Sequence, residues 1–178
     1  MPRSVAFFRN LNLGQGWAPT RPQLVAAYEA AGATDVDNVQ SNGTILFTAA
    51  AHVSTTRAVL ATLKDLTGYA DIAVVRTANW VWCVAEESDE LDLPDDEAHE
   101  VVFFDAKVPV EIPWTSPDGH LRILGGGAGY AITSFKRYPR GPGSTAGPTL
   151  EQLTGVKGTA RGVSTIRRLA ARIRNAPS

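Results

Sequence analysis

Two short polar stretches carry the side chains best suited to chemistry. Gln40-Ser41-Asn42-Gly43-Thr44 sets amides and hydroxyls between two apolar runs. Arg9-Asn10-Leu11-Asn12 adds a guanidinium and two further amides. A guanidinium is a fixed cation that makes charge-assisted bonds to carboxylate or phosphate oxygens, and amides and hydroxyls supply directed donors beside it. Arg9, Asn12, Gln40 and Ser41 therefore point to recognition of an anionic or polar small ligand. The same side chains can instead satisfy one another and the backbone groups left open at strand ends. Neither stretch contains a poised base or nucleophile, so an enzyme of unknown reaction at this edge is a lesser alternative.

Other chemistry finds weaker footing. Cys83 is the one cysteine, which rules out an internal disulfide, and its Trp-flanked apolar run reads as a core thiol. His52, His99 and His120 are scattered. The run Asp95-Asp-Glu-Ala-His99-Glu has metal-type ligands without helical pairing, so it reads as a solvated acidic loop with no metal. No Walker run or dinucleotide fingerprint is present, and no cofactor is implied. Gly125-Gly-Gly-Ala-Gly129 lies between two strands and reads as a hairpin turn. Gly141-Pro-Gly-Ser144 precedes a helix and reads as an ordinary capped loop.

The elements that must position the two polar stretches follow from periodicity. Ser4–Phe8 is an apolar strand. Thr20 and Gln23 form a capping-box pattern ahead of Leu24, Ala27, Tyr28 and Ala31 at helical spacing, and Gly32 stops the helix. Residues 35–39 form a weak strand, Asn42-Gly43 is a hairpin signal, and 44–48 is a β-branched strand. Ser54 is the expected cap of a helix running to Leu66, and a strand follows from Asp71 to Arg76. The order βαββαβ is the ferredoxin-like arrangement, with strand order 4-1-3-2. That order puts the end of strand 1, the start of strand 3 and the start of strand 4 at one sheet edge, so the two polar stretches meet there. Residues 77–85 fit a helix or a strand equally well.

An α+β protein of two halves follows: a ferredoxin-like subdomain over 1–85, an acidic linker over 86–99 and a smaller α+β subdomain over 100–178. The second half reads as a strand from Glu100, a hairpin, and two helices near 149–153 and 164–174. With 178 residues, a net charge of −1 and no apolar run of membrane-spanning length, a soluble cytoplasmic protein without membrane partners is expected. Charge is nonetheless segregated. Ten acids and no Lys or Arg fall between Glu86 and Asp105, whereas nine basic residues against one acid follow from Lys136. Arg167, Arg168, Arg172 and Arg174 form a basic helix face, which makes nucleic acid an alternative partner.

The same residues resemble a known family. Arg9-Asn-Leu-Asn-Leu-Gly is similar to the R-G-I-N-V-G-G opening of the domain-of-unknown-function 1697 family, and Gln40-Ser41-Asn42-Gly43-Thr-Ile-Leu-Phe to its Q-S-G-N-V-V-F. Val75-Arg-Thr-Ala78 resembles its V-R-T-A step, and the stretch from Thr159 to Leu169 its closing T-T-R-N-W-N-T-V-x-K-L. The resemblance implies a bacterial cytosolic protein with a ferredoxin-like first half and a helix after Thr77. It brings no assigned reaction. It adds Arg161 and Thr165 to the candidate ligand residues, with Arg161 expected to reach toward the polar edge. Departures are Asn10 for the family's Gly, Asn42-Gly43 for its Gly-Asn, Gly162 and Val163 for its Asn and Trp, and a missing Lys near Ser144.

Overall fold

The computed structural model describes residues 1–108, 111–137 and 144–175. The chain divides into two units, Met1–Val81 and Trp82–Ser178, with the boundary inside one helix. No helix among the described residues is long and apolar enough to cross a membrane.

The first unit runs β1 (Arg3–Phe8), α1 (Arg21–Ala30), β2 (Thr34–Gln40), β3 (Thr44–Thr48), α2 (His52–Thr67), β4 (Ala73–Thr77) and the first turn of α3 (Ala78–Glu90). The sheet order β2-β3-β1-β4 is the expected one, and every neighbouring pair is antiparallel. α1 starts as its sequence requires. The Thr20 hydroxyl accepts from the Gln23 N–H, and the Gln23 side chain accepts from the Thr20 N–H at 2.8 Å. Leu24, Ala27 and Tyr28 from α1 and Val59 and Leu63 from α2 cover Ala6, Phe8, Ile45 and Phe47 of the sheet. Tyr28 buries its ring against Phe47 with centroids 4.6 Å apart, and its hydroxyl meets that of Thr56. Burial pushes that phenol's pKa up, partly offset by Thr56. Ser54 does not cap α2. Ala51 holds the N-cap position, and the Ser54 hydroxyl instead donates back to the Ala51 carbonyl.

The second unit contains the rest of α3, then β5 (Glu97–Phe104), β6 (Trp114–Thr115), β7 (Leu121–Gly127), β8 (Tyr130–Lys136), α4 (Ala146–Thr154), β9 (Gly158–Gly162) and α5 (Val163–Arg174). Its antiparallel sheet has the order β6-β7-β8-β5-β9. Leu150 and Ala146 of α4 pack with Val102, Phe104, Leu121 and Ile123 on one face. Both units join helices to antiparallel sheets, so the α+β class holds.

Several expectations need correction. Of residues 77–85, left open between helix and strand, Thr77 ends β4 and the rest are helical, as the resemblance implies: the Trp80 N–H meets the Thr77 hydroxyl at 3.4 Å, and Ala78, Val81, Val84, Ala85 and Ser88 form the buried stripe of α3. Cys83 falls on the opposite side of that helix and is exposed. The segment expected as an acidic linker is helix as far as Glu90 and strand from Glu97, and Glu87 and Glu97 bond to the second sheet. Glu87 accepts from the Gly126 N–H at 3.1 Å and from the Tyr130 hydroxyl. The Glu97 side chain, only 9% exposed, accepts from Arg122 at 2.6 Å and from the Ser134 hydroxyl.

Gly125, Gly126 and Gly127 belong to β7 and not to a turn. A Cβ on Gly125 would lie 2.8 Å from Leu91 and 3.1 Å from the Glu87 carboxylate, so this strand lacks side chains where that segment crosses it. β9 was not expected at all. Its sequence, Gly158-Thr-Ala-Arg-Gly162, has no apolar alternation, and it is a strand because it pairs with β5 along the sheet edge. The loop Gly141-Pro-Gly-Ser144 lies outside the described residues over 141–143. Its described end, Ser144, donates its hydroxyl to the Glu100 carboxylate.

Candidate functional site

The two polar stretches do meet. The Phe8 N–H donates to the Gly43 carbonyl at 2.9 Å, and the Leu13 N–H to the Ser41 carbonyl at 2.8 Å. Strand β4 arrives beside them, with the Arg9 N–H donating to the Ile72 carbonyl at 2.9 Å. The junction needs glycine at position 43. Its φ is +72°, and an added Cβ would lie 2.7 Å from the Phe8 Cβ. Asn10 also sits in the left-handed region, at φ +53°, where Asn is among the residues best tolerated. The family's Gly at that place thus gives way to the side chain that most readily adopts the same backbone.

Arg9 is not an open cation. Its guanidinium is 3.0 Å from Asp71 Oδ2, and the same oxygen accepts from the Asn10 amide at 2.9 Å. Asp71 Oδ1 also accepts from the Ile72 N–H at 2.8 Å, and the Tyr69 hydroxyl donates to the Arg9 carbonyl at 2.6 Å. These bonds tie strands β1 and β4 together. Asn12 is exposed, and its carbonyl accepts from the Gln15 N–H at 3.2 Å. Asn42 accepts from the Thr44 hydroxyl at 2.8 Å, a local turn bond.

The recess at this edge lies on the other side of the Leu13–Gly14 turn. A cavity of about 320 Å³ opens there, walled by Leu13, Gly14, Arg21, Asn38, Gln40 and Ser41 among others. Asn38 is the notable wall residue. It is paired in register with Ile45, a core residue of the helix-covered face, so it points beneath the loop. It is 7% exposed, and its Oδ1 is buried with no hydrogen-bond partner among the described residues. A buried amide oxygen without a donor costs about 1–3 kcal/mol. Arg21, exposed at the start of α1, brings a guanidinium to the same cavity. Sequence reasoning missed both residues. No simple alternation could have found Asn38, because β2 shifts register between Asn38, opposite Ile45, and Gln40, opposite Thr44.

The remaining candidates lie in the second unit. Arg161 is 5% exposed, and its guanidinium donates to the Thr159 hydroxyl at 2.8 Å and the Ala160 carbonyl at 2.7 Å. Burial raises the Glu100 carboxyl pKa, while the Ser144 hydroxyl and the Arg161 charge act against that rise. Thr165 is buried at the start of α5 and meets the Arg168 guanidinium at 3.5 Å. On the outer face of α5, Arg167, Arg168, Arg172 and Arg174 are exposed, and Arg167 pairs with Asp89 at 2.5 Å.

Comparison with known proteins places the fold and the family. The structure of the conserved bacterial protein SP0830 from Streptococcus pneumoniae is similar over 97% of this chain and 98% of that one, at 12% sequence identity and a TM-score of 0.57. At that identity the likeness concerns the fold. No curated protein matches the chain. A family model described as "Protein of unknown function (DUF1697)" matches residues 1–113, well over half of the 178 residues, and the chain belongs to that family.

Proposed function

We propose that the first unit binds a small anionic or polar ligand in the cavity walled by Arg21, Asn38, Gln40 and Ser41. The observation that carries this reading is that one cavity brings together the Asn38 side chain, whose Oδ1 has no hydrogen-bond partner among the described residues, and the Arg21 guanidinium. A ligand bearing both an acidic group and an N–H or O–H satisfies the two together, as small hydroxy- and amino-carboxylates do. Gln40 and Ser41 add directional contacts. Arg9 and Asn12 support the site from behind: Arg9 fixes the strand ends through Asp71, and Asn12 lies in the turn that roofs the recess.

A thermal-shift screen of small hydroxy-, amino- and unsubstituted carboxylates against wild type, Arg21→Ala and Asn38→Leu tests this. A hydroxy- or amino-carboxylate should raise the melting temperature of wild type. Asn38→Leu should abolish the advantage of those ligands over unsubstituted acids, and Arg21→Ala should weaken all acids alike. A stabilising ligand indifferent to both substitutions sinks the site.

Nucleic-acid binding by the face of α5 is the second reading, resting on four exposed arginines within two turns and a half. The ion pair between Arg167 and Asp89 takes one of those charges and weakens it. Retention on DNA or RNA that falls with salt and with Arg168→Ala and Arg172→Ala would favour it.

A further inference from the structure

The second unit has a recess of its own, separate from the polar edge and unused by the reading above. A cavity of about 590 Å³ lies between the Ser116–His120 turn, the adjoining strands β6 and β7, and helix α4. Its volume is that of a small-molecule site. The walls are mostly apolar: Trp114 from β6, Leu121 from β7, and Leu153 from α4, which is 50% exposed despite its size. Polar groups come from His120, Gln152 and Asp118.

The fixed charge on this wall is the Asp118 carboxylate, with the His120 imidazole beside it. Among its described residues there is no Lys or Arg, and Asp118 is the acid. The Asp118 carboxylate is held in place by the turn. Its Oδ1 accepts from the Ser116 hydroxyl at 2.5 Å and from the His120 N–H at 3.0 Å. Those bonds keep its pKa below the usual carboxylate range, the Ser116 bond most of all, so the group stays ionised at neutral pH. Both bonds orient the carboxylate without neutralising it. An aromatic side chain and a carboxylate on one apolar cavity suit a cation carried on a flat apolar body, through cation–π attraction and direct charge pairing. An acid meets Asp118 with like charge, and no Lys or Arg among the described wall residues offsets it.

We propose that this cavity binds small aromatic amines, with the ring against Trp114, Leu121 and Leu153 and the ammonium at Asp118. The test uses the full chain, with tryptamine and indole-3-propionate as matched cationic and anionic probes, followed by calorimetry and ligand-observed NMR. Tryptamine should bind the more tightly. Asp118→Asn keeps an acceptor for the turn and should weaken tryptamine by about 2- to 5-fold, the range for an exposed charge pair, with no loss for the acid. Leu153→Lys, at an exposed position that folding tolerates, should weaken tryptamine and strengthen indole-3-propionate. Equal or preferential binding of the acid, absence of binding by tryptamine, or an amine affinity unchanged in both variants overturns the proposal.

Discussion

The two cavities differ in charge and in construction. The one in the first unit sets a contiguous run, Asn38 to Ser41, against the Leu13–Gly14 turn and the start of α1, and its charge is the Arg21 guanidinium. The one in the second unit gathers single residues from β6, a turn, β7 and α4, and its charge is the Asp118 carboxylate. Under the two binding proposals, the one charged wall residue sets the ligand class of each cavity.

The sharpest probe of that contrast substitutes one glycine in each turn. Both adopt positive φ, +72° at Gly43 and +67° at Gly119, but a Cβ on Gly119 meets nothing within 4 Å. Gly43→Ala should therefore cost about 3 kcal/mol or more, from left-handed strain plus the collision with Phe8. Gly119→Ala should cost only about 1–2 kcal/mol, from strain alone. Urea unfolding of both variants decides the matter, and equal costs would break the contrast.

The ion pairs give a second, smaller measure. Arg122 faces a Glu97 side chain that is 9% exposed, so Arg122→Met leaves a nearly buried carboxylate with the Ser134 hydroxyl and the Lys136 charge and should cost about 2 kcal/mol. Arg9 and Asp71 are 22% and 17% exposed, and Arg9→Met should cost about 1 kcal/mol. The exposed pair of Arg167 and Asp89 should contribute less than about 0.5 kcal/mol, within the error of chemical denaturation. If Arg9 proves the costliest of the three, the first unit depends on charge more than its geometry indicates.

Acid titration separates the same pairs. Burial alone would raise the Glu97 pKa, but the Ser134 hydroxyl and the Arg122 guanidinium together bring it below the ordinary value. A carboxyl lowered on folding stabilises fully above its unfolded pKa of about 4.3, and that contribution disappears as pH falls through the folded value. The stability gap between wild type and Glu97→Gln should be constant from pH 7 to about pH 5 and close below about pH 4. A gap that widens on acidification would reverse the sign assigned to Glu97.

How much of this was legible beforehand differs between the units for a physical reason. In the first, periodicity marks each strand and helix, the capping box at Thr20 marks a helix start, and the strand order brings Arg9 and Gln40 to one edge. What stayed hidden there was pairing across the chain. Asp71 lies 62 residues from Arg9 and claims its guanidinium. In the second unit, β9 has no strand pattern of its own and depends on its register with β5. A Cβ on Gly158 would lie 3.0 Å from Val102 and 3.2 Å from the Phe103 carbonyl, so glycine there marks a close strand approach and not a loop. The cavity at Asp118 was invisible because no two of its elements carry a common motif. Cys83 was misplaced because alternation with Trp80 and Trp82 hides which side of a helix each residue takes.

That outward position of Cys83 has a practical consequence. The wild-type chain carries one thiol, and it projects to solvent from α3. A maleimide dye or spin label therefore couples at a single known address with no engineered mutation. Spectroscopic titrations of either cavity can be run on otherwise native protein, with each molecule tagged once.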